Sequence, residues 1–148
     1  MNIKELLDEQ VFKINTPDFI KDDPVQFPRR FEKLQDIEIV AFTTATIAWG
    51  KRSMILRDTE RMLSLMNNTP YEFVMNKGFE TLGNANVHRT FFQPDLAYML
   101  RGFYSIYSKY ESINNMVKEL GLGNDSAPAW KLCETVRELS CKANNGCY

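Results

Sequence analysis

The chain has 148 residues, with 18 Lys and Arg against 19 Asp and Glu for a formal net charge of −1, and is 44% hydrophobic and 25% charged. Those values describe one soluble globular domain and exclude a disordered, collagen-like or low-complexity chain. The near-zero charge also removes the simplest argument for nucleic-acid binding, a strongly basic domain.

Residues 2–13 read as a short amphipathic helix with Ile3, Leu6, Leu7 and Val11 on one side. No apolar leader precedes a cleavage site there. Residues 14–33 hold Pro17, Pro24 and Pro28, which forbid a long regular element, yet Phe19, Ile20, Val25, Phe27 and Phe31 are too apolar for a free linker. The segment is expected to be an ordered strap packed on the domain, with one helical turn after Pro17.

Residues from about 34 to 49 have helix length and few polar positions, which predicts a buried central helix ended by Gly50 as a left-handed cap. Its apolar run, Ile37 to Trp49, is too short and too threonine-rich to span a membrane. From about 53 to 67 a second helix places Ile55, Met62, Leu63 and Met66 at i, i+7, i+8 and i+11. Thr69-Pro70 opens a short helix through Asn76. Residues 79–93 show no clear period, and Gly83-Asn84-Ala85-Asn86 is a turn.

Pro94 starts the most regular helix, with Leu96, Met99, Leu100, Phe103, Tyr107 and Tyr110 forming one apolar stripe. Ser112 is expected to cap a short helix ending at Gly121. A last helix, about 128–142, points Trp130, Cys133, Val136 and Leu139 inward. No alternating β pattern occurs, so the fold class is all-α: a single helical-bundle domain of six or seven helices over 1–148. The ending, Asn144 to Tyr148, looks like a loop cut short. Cys133, Cys141 and Cys147 lack metal-type spacing; their odd number, with no signal peptide, points to reduced thiols and a cytoplasmic protein.

No phosphate loop, paired-histidine metal site or nucleophile elbow is present, so no cofactor or metal is expected and catalytic residues are unassigned. His88-Arg89, in a loop, could bind a phosphate; the plainer reading is that His88 fixes the loop by bonding a carbonyl while Arg89 pairs with a carboxylate. Arg29, Arg30 and Lys33 precede the buried helix, and Lys51, Arg52 and Arg57 follow it. Both sets are candidates for phosphate contacts, although Asp22, Asp23, Glu32 and Asp36 interrupt the first, and such clusters also serve as solvated faces. Asp36 and Glu38 are two apart and so do not share a helical face; Asp36 belongs in the first turn of its helix. Phe103, Tyr104, Tyr107 and Tyr110 are core by their spacing, with Tyr104 the exception able to stack on a base.

Asp22-Asp23-Pro24, Gln35-Asp36-Ile37-Glu38-Ile39, Ala48-Trp49-Gly50-Lys51-Arg52 and His88-Arg89, in that order, resemble the N-terminal part of an uncharacterised bacterial domain family of unknown function. The resemblance covers about Phe12 to Tyr110 and implies that the chain is the N-terminal portion of a longer protein. A second similarity is to the helical domain of helix–hairpin–helix DNA glycosylases, carried by the buried helix, the Ala48–Arg52 junction and the amphipathic helix after it. In those enzymes a glutamine-rich motif approaches the lesion at this junction. Thr43, Thr44 and Thr46 stand in that neighbourhood here, so the wedge role does not carry over. The catalytic Asp or Lys of such enzymes would have to lie beyond Tyr148.

The leading reading is therefore a helical part of a DNA-associated, glycosylase-like protein without catalytic residues of its own, binding weakly and salt-dependently through Arg29, Arg30, Lys51, Arg52, His88 and Arg89. The alternative is a helical protein–protein interaction module, which seven Met and 12% aromatic residues suit, with homo-oligomerisation through exposed core surface. An enzyme using His88 as an acid–base group is the third reading. No membrane association is expected.

Overall fold

The computed structural model describes residues 2–146. In chain order it has α1 (Ile3–Ile14), α2 (Pro17–Lys21), 3-10 turns at Pro24–Gln26 and Pro28–Arg30, α3 (Leu34–Thr46), α4 (Arg52–Leu65), α5 (Pro70–Met75) and a 3-10 turn at Gly78–Thr81. A small hairpin, β1 (Asn86–His88) and β2 (Phe91–Phe92), is followed by α6 (Gln93–Tyr110), α7 (Ile113–Glu119), a 3-10 turn at Leu122–Asn124 and α8 (Pro128–Ala143). The domain is all-α, with more and shorter helical pieces than the periodicity alone separates.

The apolar stripe of α6 is the centre of the core: Leu96, Leu100, Phe103, Ile106, Tyr107 and Tyr110 are all buried. By contrast α3 is buried along one side only, at Ile39, Val40, Thr43 and Thr44. It also stops at Thr46 with Ile47 as its cap, so Gly50 does not end the helix. Gly50 instead lies in an irregular α3–α4 junction at φ +104°, a conformation that favours glycine.

Two carboxylates at the start of α3 organise distant helices. Asp36, in the first turn, accepts the Tyr71 N–H at 2.8 Å and so satisfies the N-terminus of α5. Glu38 accepts the N–H groups of Ile113 and Asn114 at 2.9 and 2.8 Å, capping α7, and the Tyr107 hydroxyl at 3.2 Å. Burial, with the Glu38 carboxylate beside it, pushes the Tyr107 hydroxyl well above the ordinary phenol range. Ser112 caps α7 as its sequence predicts, accepting from Asn115 N at 2.9 Å.

The strap is ordered, with Pro17, Pro24 and Pro28 each opening a helical turn and Phe27 buried beneath it. The helix before it, α1, has a complete capping box between Asn2 and Glu5 but buries no residue; Phe12 is 85% exposed.

Gly102 of α6 faces Ser140 of α8. A Cβ there would come 3.0 Å from Ser140 Cα and into the Ser140 side chain, so the missing side chain is what lets these helices approach. Away from this crossing α8 is little covered, which corrects two expected core positions: Trp130 is 75% exposed and Cys133 is exposed. Cys133 is a free thiol, whereas Cys141 is disulfide-bonded, correcting the expectation of reduced thiols throughout. Of the expected terminal loop, Cys147 and Tyr148 lie outside the described residues. Among the described residues no helix is long and apolar enough to cross a membrane, and no cluster of His, Cys, Asp and Glu could hold a metal ion.

Candidate nucleic-acid interface

Three segments meet at His88: the hairpin that carries it, the first half of α4, and the α3–α4 junction. The His88 side chain is 0% exposed. Its Nε2 lies 2.9 Å from the Trp49 carbonyl oxygen, which can only accept, so that nitrogen carries hydrogen. Its Nδ1 lies 2.7 Å from Oδ2 of Asp58, itself 1% exposed. A hydrogen bond at that distance requires a proton between ring and carboxyl.

Burial opposes ionisation of Asp58, but hydrogen bonds from Arg57 and His88 and the charges of Arg57 and Arg61 more than offset it. Its carboxyl is held below the usual carboxylate range. Asp58 and His88 thus form a buried carboxylate–imidazole hydrogen-bonded pair. Oδ1 of Asp58 accepts from Arg57 Nε at 2.8 Å, and an Arg61 guanidinium nitrogen stands 3.7 Å away while also donating to the Val87 carbonyl. One buried carboxylate thus fixes two exposed arginines on α4 and one strand of the hairpin.

Around this pair the surface is basic. Arg89 follows His88 in the hairpin turn with φ +49°, and its guanidinium lies over the Trp49 ring at 4.7 Å from the centroid. His88 meets the same indole edge-on at 5.3 Å. Trp49 remains 40% exposed. Gly50 makes room for Arg89: a Cβ there would sit 2.7 Å from its Nη1. Lys51 and Arg52 follow directly at the start of α4, both exposed, with Arg52 5.9 Å from the Phe19 ring. Across the strap, Arg30 is tied to Glu60 at 2.7 Å and to Gln26 at 2.9 Å, while Arg29 beside it is exposed.

The junction also borders a groove of about 710 Å³ between α3, the hairpin, α6 and α8, walled by Trp49, Phe42, Phe91, Met99 and Val136, with Arg137 at its side.

The expected phosphate contacts therefore divide. Lys51, Arg52 and Arg89 are exposed around one junction and Arg29 is exposed on the strap, whereas Arg30 is engaged with a carboxylate. His88 is withdrawn from solvent with both ring nitrogens used, so it cannot contact a ligand. It does bond a carbonyl, as its plainer reading predicts, but Arg89 stacks on Trp49 instead of pairing with a carboxylate. Asp58 and Arg61 were not legible as site residues. The available signal was Asp58 itself: it falls three after Ile55 and four before Met62, on the core face of α4, where an acid needs a buried partner.

The fold and this junction define an all-α domain with a basic surface beside Trp49, built on the buried Asp58–His88 pair. Residues 23–145 match the family described as "Protein of unknown function (DUF2400)", and the chain belongs to that family. No curated protein and no solved structure matches it, so the similarity to glycosylases gains no support from either comparison. The match begins within the strap, leaving α1 and α2 outside it.

Proposed function

We propose that the domain associates with DNA by contacting backbone phosphates through Lys51, Arg52, Arg57, Arg61 and Arg89, with Arg29 extending the surface along the strap. The observation that carries this reading is the Asp58–His88 pair. Asp58 holds Arg57 and Arg61 of α4, and His88 joins that carboxylate to the carbonyl of the half-exposed Trp49, on whose ring Arg89 stacks. Guanidinium groups so held suit phosphate oxygens, and an indole already stacked by an arginine suits an unpaired base. This agrees with a glycosylase-like role in DNA association and assigns no chemistry to these residues; His88 is a positioning residue.

Fluorescence anisotropy of a labelled duplex, intact or with an abasic site, titrated at several salt concentrations, tests the reading. Binding should weaken steeply with salt, and the log–log slope should fall by about 0.9 for each phosphate contact removed in Lys51→Ala, Arg52→Ala and Arg89→Ala. Lys131→Ala, on α8 and paired with Glu134, should change nothing. Unchanged affinity and slope in all three variants would overturn the proposal.

The apolar groove beside Trp49 favours a second reading, a protein-interaction module. A mass that rises with concentration in solution, and returns to monomer in Met99→Lys, would support it over DNA binding.

A further inference from the structure

A second cleft lies on another side of α6 and shares no residue with the surface around Trp49. It encloses about 380 Å³ between the Gly78–Thr81 turn, α6 and the end of α8, and is lined by Lys77, Phe79, Glu80, Arg101, Tyr104, Ser105, Ser108 and Ala143. Arg101, Tyr104, Ser105 and Ser108 fall at i, i+3, i+4 and i+7, so one stripe of α6 presents a cation, a ring and two hydroxyls to the cleft. The apolar stripe through Leu100, Phe103 and Tyr107 faces the core, and Tyr104 is only partly buried.

Opposite this stripe stand Lys77 and Phe79. Cations and rings alternate across the cleft: Lys77 Nζ lies 5.3 Å from the Tyr104 ring centroid, Arg101 Cζ lies 5.2 Å from that of Phe79, and the two rings meet edge-on at 6.1 Å. The Arg101 guanidinium is held in place by Asn144 Oδ1 at 2.6 Å, which leaves most of its N–H groups for another acceptor. Lys77 is in the left-handed region at φ +55°, a conformation unfavourable for a side chain with a Cβ and one that glycine would adopt freely.

We propose that this cleft binds a phosphate monoester of a small hydroxylated molecule, such as a sugar phosphate. Lys77 and Arg101 supply two positive charges for the phosphate dianion, and the Ser105 and Ser108 hydroxyls supply neutral donors. The partly buried Tyr104, backed by the buried Phe79, gives an apolar wall for the face of a sugar ring. Glu80, the carboxylate among the lining residues, accepts from a sugar hydroxyl. The volume lies within the range of small-molecule sites and exceeds what a bare phosphate ion fills.

Isothermal titration calorimetry of the whole chain with glucose 6-phosphate, inorganic phosphate and glucose tests this. Glucose 6-phosphate should bind saturably, inorganic phosphate more weakly, and glucose not at all. Lys77→Gly removes the ammonium while relieving the left-handed backbone, so the variant should fold and bind glucose 6-phosphate about tenfold or more weaker. Tyr104→Leu should weaken glucose 6-phosphate and leave inorganic phosphate unchanged. No saturable binding, or equal binding by Lys77→Gly, would overturn the proposal; inorganic phosphate binding as tightly as glucose 6-phosphate would overturn its sugar component. Arg89→Ala should leave this binding intact, so the DNA proposal and this one fail independently.

Discussion

Replacing Asp58 with alanine attacks the centre of the basic surface. In the folded protein the Asp58 carboxylate takes a hydrogen bond from His88 at 2.7 Å and one from Arg57 at 2.8 Å, and it is 1% exposed. After the change Arg57 and Arg61 can rehydrate, because both are substantially exposed. His88 cannot, being fully buried, and keeps either an unpaired charge or an unsatisfied ring nitrogen. Removing one member of a buried ion pair costs about 3–5 kcal/mol. Set against a typical domain stability of about 5–15 kcal/mol, that is a large fraction of the whole.

Asp58→Asn keeps the shape and an acceptor and should cost less, about 1–3 kcal/mol. The pH dependence has a definite sign. The folded Asp58 carboxyl sits below its unfolded value of about 3.9, so its contribution is present above that pH and is lost as pH falls through the folded value. The gap between wild type and Asp58→Ala should therefore narrow on acidification below about pH 4. Urea denaturation followed by circular dichroism, repeated from pH 7 to pH 3, measures both quantities. A loss under about 1 kcal/mol at pH 7, or a gap that widens in acid, would refute the account of Asp58 as the buried anchor.

Gly102→Ala should lower stability by about 1–3 kcal/mol, because its new methyl group meets Ser140 backbone as well as side chain and α8 must move away from α6. The same denaturation curve reads this, and Ser140→Gly in the Gly102→Ala background should restore part of the loss. Thr59 Oγ1 is buried with no hydrogen-bond partner among the described residues. Thr59→Val, close in shape and without the hydroxyl, should raise stability by about 1 kcal/mol, seen as a rise of a few degrees in melting temperature.

Features that depend on neighbours a few residues apart were legible in the sequence. The stripe from Leu96 to Tyr110 specified α6 and its buried face because the helical repeat alone decides which residues lie together. Ser112, Pro70 and Pro17 marked helix starts because the groups they satisfy or spare are local, whereas the turns opened by Pro24 and Pro28 were not foreseen. The hairpin escaped notice because two strands of three and two residues are too short to show alternation. An amphipathic stripe also does not say how much of it a neighbour will cover. The stripes of α1 and α8 look alike in sequence, yet α1 buries no residue and α8 buries Val136 and Ser140, near the point where Gly102 admits it.

The site depended on separations that no local pattern encodes. His88 meets Asp58 across 30 residues and Trp49 O across 39, and Glu38 caps a helix 75 residues away. Each pairing forms only after folding removes water from the partners, and the choice among possible partners is made by packing. The sequence by itself determined an all-α domain, its main helices and the exposed basic residues at their ends, since local periodicity and capping suffice for these. Only the tertiary structure decided that His88 would be buried as a brace and that Arg89 would stack on Trp49, because both follow from which distant groups the core brings within hydrogen-bonding reach.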